Sequence, residues 1–280
     1  MIPVGRSVIT AAAWTGCVLI VLVFAVPYAW MLGSSLRLQE ETFRYVYPLQ
    51  WNTLVPANPS LAAYDEIFGK LRFGRAMANS LITAIAVAGL GLLVNSLAGF
   101  AFARMPVPSR ELLFMLALST SFIPFEAIVV PMYLVVKQLG LTNSYAGLIL
   151  PWVVNPFGIL LMREAFSEVP QDLVDAGAVD GASWPRTYWS LMLPLVRPAL
   201  VSFALVQFLF TWDSFFWPLV VAQDDALRVV QVAIATFSIE ASTRWDWIFA
   251  ASSASTFPII LLFVAAQRFL VRGVATTGLK

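Results

Sequence analysis

The 280-residue chain has no histidine and a single cysteine, Cys17. One cysteine excludes an internal disulfide, and the lack of histidine removes any Cys/His metal site and any His-based triad. Charge is scarce as well: Asp, Glu, Lys and Arg make up 12% of the residues, against about a quarter in an ordinary soluble domain. The formal net charge is +1, so overall charge points to no nucleic-acid or acidic partner. No G-x-x-x-x-G-K-[ST] stretch occurs, which excludes that way of cradling ATP phosphates. No catalytic residue, no metal ligand and no cofactor held by the chain itself is therefore expected.

What is abundant is apolar: 60% of residues are hydrophobic, the composition of an integral membrane protein. The uncharged stretch from Ser7 to Leu36 is too long for the apolar region of a signal peptide, so it reads as a retained anchor. Cys17 does not read as a lipoprotein site, because the apolar run follows it. Six segments satisfy the requirement of about 20 apolar residues per transmembrane helix. They lie at about 14–36, 76–103, 112–136, 143–162, 198–221 and 247–267 of one transmembrane domain spanning 1–280. The second is rich in small residues, and Gly89, Gly91 and Gly99 suit close helix contact. The longest loop, 37–75, carries Trp51-Asn52, Pro56, Pro59 and a charged run from Asp65 to Arg75.

Lys and Arg in the short connections set the orientation. With the N-terminus inside, Arg6, Arg104, Arg110, Arg163, Arg186, Arg197, Arg268, Arg272 and Lys280 face the cytoplasm, against Lys137, Arg228 and Arg244 outside. Both termini and the 163–197 loop are then cytoplasmic. The expected fold is all-α, a polytopic membrane protein of six spans.

The longest polar segment of the second half runs from Glu168 to Pro198, EVPQDLVDAGAVDGASWPRTYWSLMLPLVRP. Pro170 suits a first helical turn, Asp172 and Asp175 favour the positive helix N-terminus, and Gly181 is placed to end the helix. Glu168, Asp172 and Asp175 at i, i+4, i+7 form an acidic stripe. Ser183 is a candidate N-cap for a second short helix with Pro185 in its first turn. Two short helices at right angles to the spans would make a docking knob.

The order Asp175-Ala176-Gly177, Asp180-Gly181-Ala182, Tyr188, Leu191, Leu193-Pro194, Pro198 resembles the cytoplasmic EAA loop of ABC-importer permeases of the carbohydrate-uptake, maltose-permease-like type. The spacing is kept throughout, with Asp175 where Glu is usual and Gly177 where Ala is usual. The first change keeps the charge on a shorter arm, and the second loosens the helix by roughly 1 kcal/mol. Asn79-Ser80, Ala101-Phe102-Ala103-Arg104, Pro124 and Pro131 around Glu126 with Tyr133, Gly147 to Pro151, and Trp212 to Leu219 resemble further family segments. So does the tail from Gln267-Arg268 through Gly273 and Gly278 to Lys280.

The resemblance implies a prokaryotic inner-membrane, multi-pass permease subunit that is no enzyme. Its partners would be an ABC ATPase dimer using ATP and Mg, a second and related permease, an extracytoplasmic sugar-binding protein, and the bilayer. Asp175, Ala176, Gly177, Asp180, Gly181 and Ala182 would dock in a groove of the ATPase like a ball in a socket. Leu193 and Pro194 would fix the return to the fifth span.

Ionisable residues inside a membrane usually face a cavity or a partner. Counted along straight helices at 1.5 Å per residue, Glu126 lies about 21 Å from Leu112 and Asp213 about 22 Å from Pro198. A shared depth suits a polar pathway in which these carboxylates work with Trp212, Phe215 and Trp217, as sugars need both hydroxyl acceptors and aromatic faces. Alternatively, Glu126 satisfies backbone groups freed by its prolines and Asp213 bonds another helix. Asn95, Asn155 and Gln207 read as interhelical hydrogen-bonding groups. Other solutes remain open, a polyamine favoured by the two carboxylates more than glycerol phosphate, for which no central basic group is present. An ion-coupled secondary transporter is the reading from a different class, but it leaves the 168–198 loop without a purpose and lacks an evident inverted repeat.

Overall fold

The computed structural model describes the backbone of residues 4–48, 50–238 and 243–277, and the side chains of 10–48, 50–238 and 243–267. The expected tail from Gly278 to Lys280 lies outside the described residues, as do the side chains of Arg6, Arg268 and Arg272. The helices are α1 (Val4–Ser35), α2 (Phe73–Arg104), α3 (Arg110–Ser119), α4 (Phe125–Gln138), α5 (Tyr145–Val153), α6 (Pro156–Ser167), α7 (Gln171–Val179), α8 (Arg197–Trp212), α9 (Phe216–Val221), α10 (Val230–Thr236) and α11 (Trp245–Thr277). No strand occurs among the described residues.

Three stretches are unbroken and apolar enough to cross a membrane: Thr10–Ser35, Phe73–Arg104 and Trp245–Gln267. The remaining spans are bent. Arg110–Phe122 meets Phe125–Gln138 at 103°, and Tyr145–Val153 meets Pro156–Ser167 at 46°. The first bend follows from Pro124, which holds Ile123 before it in extended backbone (ψ 117°). At the second, Asn155 is extended and caps α6 by accepting from Phe157 N, with Pro156 in the first turn. The expected fifth span is also two pieces, the 16-residue α8 and the 6-residue α9, parted at Asp213 to Phe215. Prolines alone do not mark these breaks, since Pro131 and Pro151 sit inside continuous helices.

The chain falls into two compact units, 1–74 with 233–257, and 75–232 with 258–280. In the first, α1 ends in a turn closed by Arg37, which is 2% exposed and donates to Ser34 Oγ (3.1 Å), Thr53 O (2.8 Å) and Asn52 O. Trp30, Phe43, Trp245 and Phe249 form an edge-on aromatic cluster in the same unit.

The second unit has two apolar cores. One gathers Phe100, Met162, Phe166, Val174, Tyr188, Met192 and Phe203, and the other Val129, Val136, Leu148, Trp217 and Val221. Close approach explains one of the expected small residues well: a methyl at Gly99 would lie 2.5 Å from Met162 Cβ and 2.8 Å from Arg163 N. A methyl at Gly91 would lie tighter than usual against Val153 O at 3.2 Å, whereas a methyl at Gly89 would meet nothing within 4 Å. Gly89 therefore makes no close contact within the described residues.

Candidate coupling site

The polar segment folds as a helix, a cap and a wide return turn. α7 ends in a Schellman arrangement: Ala182 N donates to Gly177 O at 2.9 Å and Gly181 N to Ala178 O at 3.0 Å. That geometry needs a left-handed residue, and Gly181 supplies it with φ +74°. The next helical turn begins at Trp184, with Ser183 extended before it and Pro185 inside its first turn. A π-helical turn, Thr187–Met192, follows. Pro194 has no N–H for the carbonyl four residues earlier, consistent with the loosened helix there. The 184–195 segment meets α8 at 83°, the right angle expected of a docking knob.

Within this element Asp175, Ala176, Asp180 and Gly181 are exposed, while Gly177 and Ala182 are half-buried. Gly177 looks toward the return turn, where a methyl would sit 3.8 Å from Leu191 Cδ2. Leu193 packs on the apolar core beneath, and Pro194 is exposed. Val174 and Tyr188, 5% and 2% exposed, anchor the knob from below. Its tip carries Val179 at 88% exposure, an apolar side chain that the sequence pattern did not single out. The expected acidic stripe is interrupted: Glu168 caps the end of α6, Pro170 intervenes, and only Asp172 and Asp175 share α7.

The broken spans are mended by side chains from neighbouring helices. Trp152 O would accept from residue 156 in a continuous helix, but that residue is Pro156, and Gln207 Nε2 donates to it instead at 3.0 Å. Val153 O accepts from Asn95 Nδ2 (2.8 Å), Asn155 N donates to Asn95 Oδ1 (2.9 Å), and Asn155 Nδ2 donates to Gln207 Oε1 (2.9 Å). Likewise Pro151 leaves Gly147 O without its helical donor, and buried Trp217 Nε1 supplies one at 3.0 Å. Each of these carbonyls would otherwise cost a lost hydrogen bond in an apolar medium. Asn79 and Ser80 do similar work for the 226–230 turn: Asn79 Nδ2 donates to Ala226 O and Arg228 O, and Val230 N donates to Ser80 Oγ. The partners of these amides were not legible from the sequence, although their residue types were.

Of the residues proposed for a substrate pathway, Glu126 and Asp213 are exposed and Phe215 is 40% exposed. Trp212 is instead buried, 1% exposed, and stacks on Phe208 at 5.8 Å. Asp213 Oδ1 accepts from Gln231 Nε2 at 3.3 Å. Phe125, beside Glu126, packs on Phe216 and Trp152. Among the described residues no ion pair reaches either carboxylate. The straight-helix depth for Glu126 does not survive the 103° bend that precedes it. For Asp213, which closes the straight α8, the rise still applies.

Two attachments of the knob were also missed. Arg104, read only as the end of a motif, donates to carbonyls at the α6–α7 junction, and Tyr188 shares a hydrogen bond with Ser96. Their partners lie 62 and 92 positions away in sequence, beyond the reach of any local pattern.

Membrane-length helices, broken spans mended by neutral side chains and a polar loop folded into an exposed knob together have the form of a transport permease. The chain belongs to the binding-protein-dependent transport system inner membrane component family, whose sequence model matches residues 95–276. It is 32% identical over 202 residues, 72% of each chain, to the arabinooligosaccharides transport system permease protein AraQ of Halalkalibacterium halodurans. It is 30% identical over 270 residues, 95% of each chain, to the trehalose/maltose transport system permease protein MalG of Thermococcus litoralis. The fold matches a chain in the crystal structure of a bacterial ABC transporter involved in the import of the acidic polysaccharide alginate. That match has a TM-score of 0.81 at 18% identity and covers 96% of this chain and 98% of the other.

Proposed function

We propose that the chain is one permease subunit of an ATP-driven sugar importer, and that residues 171–195 dock onto a separate ATPase. The observation that carries this is the knob itself. An apolar Val179 stands 88% exposed at the end of a short helix, next to a glycine cap that no other residue replaces without strain. One exposed valine is ordinary by itself; what singles out the knob is this apolar tip beside a left-handed Gly181 at φ +74°. Asp175, Asp180 and the Gly181 cap frame it, in the spacing of the loop that ABC permeases insert into their ATPase.

In this reading the ATPase pair closes on ATP, the knob moves with its socket, and the spans switch the pathway from one side of the membrane to the other. Six spans offer one knob, so a second, related permease completes the contact with an ATPase dimer. An extracytoplasmic binding protein delivers the sugar, in keeping with the family's name. Glu126, Asp213 and Phe215 are the pathway groups of this proposal, with Trp212 acting from the core behind Asp213. The chain needs no cofactor of its own, and ATP and Mg belong to the ATPase.

Glu126 and Asp213, both exposed and in no ion pair among the described residues, also suit a cationic solute such as a polyamine. The test is co-expression with the neighbouring transport genes, purification in nanodiscs, and ATPase assay with candidate sugars, polyamines and binding protein. Gly181→Pro forbids φ +74° and removes the N–H given to Ala178 O, so loss of the co-purified ATPase is expected. A chain that purifies alone and moves solute on an ion gradient without ATP would replace the importer reading with a secondary transporter.

A further inference from the structure

We propose that α2 is the lever that reads the coupling loop, with Arg104 and Ser96 as its two points of attachment; this rests on the reading of 171–195 as the ATPase-docking element. Arg104, the last residue of α2, grips the loop where it begins. Its Nε and Nη2 donate to Phe166 O at 3.0 and 2.7 Å, and Nη2 also reaches Ser167 O (3.2 Å) and Val169 O. Phe166 O and Ser167 O lie in the last turn of α6, where carbonyls run short of helical donors, although Phe166 O also accepts from Val169 N at 3.4 Å, and a cation there also complements the helix dipole. Nη1 donates to Gln171 Oε1 at 2.5 Å, and Gln171 Nε2 donates to Asp175 Oδ1 at 2.9 Å. Asp175 is thereby linked to α2 through one amide.

The second grip holds the loop where it returns. Tyr188 and Ser96, 2% and 1% exposed, share a hydrogen bond of 2.7 Å between their hydroxyls. Ser96 lies about 12 Å along α2 from Arg104. Two grips at that separation resist both sliding and tilting of the loop against the helix.

Stiffness then decides where motion goes. The spans joined to the loop by the chain are both interrupted, α5–α6 by 46° at Val154-Asn155 and α8–α9 at Asp213 to Phe215. α2 runs unbroken for 32 residues. A displacement of the knob is absorbed at the breaks of its chain neighbours but carried whole by α2. Arg104 and Tyr188 are therefore positioning residues, and the guanidinium fork rather than its charge alone is needed, since a lysine offers one point of donation.

The experiment uses the full complex in nanodiscs with Cys17→Ser and a reporter cysteine at Arg75, an exposed position at the outer end of α2. The rate of maleimide labelling at position 75 is read with and without ATP. In the parent complex ATP changes that rate. In Arg104→Ala and in Tyr188→Phe the ATPase still co-purifies but the ATP-dependent change is lost, and Arg104→Lys restores part of it. Tyr188→Phe removes one oxygen and keeps the ring in the core, so it tests the lever even where Arg104→Ala impairs folding. An ATP-dependent change that persists in Tyr188→Phe and Arg104→Lys at parental size overturns the lever. Failure of any ATPase to co-purify with the parent overturns the docking reading instead.

Discussion

The two units close their turns with different chemistry. In the unit of 1–74 and 233–257 the closing groups are ionised. Arg244 pairs with Glu66 (3.0 Å) and Asp246 (2.8 Å) and lies 3.9 Å over the Trp247 ring, while Trp247 Nε1 donates to Glu66 at 2.6 Å. Gln39 completes the set by donating to Thr243 O and accepting from Asp246 N. In the unit of 75–232 the corresponding work at the span breaks falls to neutral groups, Asn95, Asn155, Gln207 and Trp217. The difference follows the solvent. Glu66 and Arg244 side chains are 31% and 29% exposed, where water and salt relieve an imperfect pair, while the buried charges of this unit, Asp246 and Arg37, are each held by several hydrogen bonds; a charge sealed among apolar spans without such partners would carry its whole desolvation cost. A neutral amide satisfies a carbonyl and an N–H together at far lower risk.

The largest expected effect comes from breaking the neutral network at its centre. Asn95→Leu leaves Val153 O and Asn155 N without partners, at about 1–3 kcal/mol for each buried group. A loss of roughly 3 kcal/mol in thermal or denaturant unfolding of the purified complex is expected. A loss below 1 kcal/mol would mean that the break satisfies itself.

Next comes Trp217→Phe, which strands Gly147 O and costs about 1–2 kcal/mol. Pro151→Ala returns a backbone N–H to that carbonyl, so Trp217→Phe should cost clearly less in a Pro151→Ala background. Equal costs in both backgrounds would contradict the assignment of Trp217 as the donor that proline removed. Gly177→Ala probes the intrinsic helix propensity of α7. Its methyl has room at 3.8 Å, and it should stabilise α7 by up to about 1 kcal/mol, read as slower amide exchange over 171–179.

The smallest effect belongs to the ionised set. Glu66→Gln should change stability by no more than about 1 kcal/mol, and the change should shrink in high salt. The Trp247 hydrogen bond, with Arg244 and Lys70 assisting, lowers the Glu66 pKa below the usual carboxylate value. A group that titrates lower in the folded chain stabilises above its ordinary range. That contribution is lost as pH falls through the lowered value, and Glu66→Gln removes this part of the acid sensitivity.

The contrast also separates what sequence could reveal from what it could not. Span number, the knob and its Gly181 cap are local patterns of length, apolarity and spacing, and they were legible. Where the spans break was half legible: Pro124 and Pro156 sit at bends, but Pro131 and Pro151 do not. Distant donors replace the lost N–H at both Pro151 and Pro156, Trp217 at the first and Gln207 at the second, and the span breaks only where Asn155 is extended and caps a new helix; no local pattern encodes the arrival of those donors. Glu168 was misplaced for a related reason, since Pro170 starts a new helix and ends the register in which the acidic stripe was counted. Trp212 looked like a pathway aromatic because tryptophan type says nothing of direction, and in the fold it lies buried against Phe208.

The most direct measurement is a cross-link from the tip of the knob. In a Cys17→Ser chain carrying Val179→Cys, co-expressed with its transport partners, a short thiol-reactive cross-linker should join position 179 to an ATPase subunit, and the yield should change with ATP. A position 179 that labels freely yet captures no ATPase, while the complex still hydrolyses ATP, would contradict the coupling role of residues 171–195.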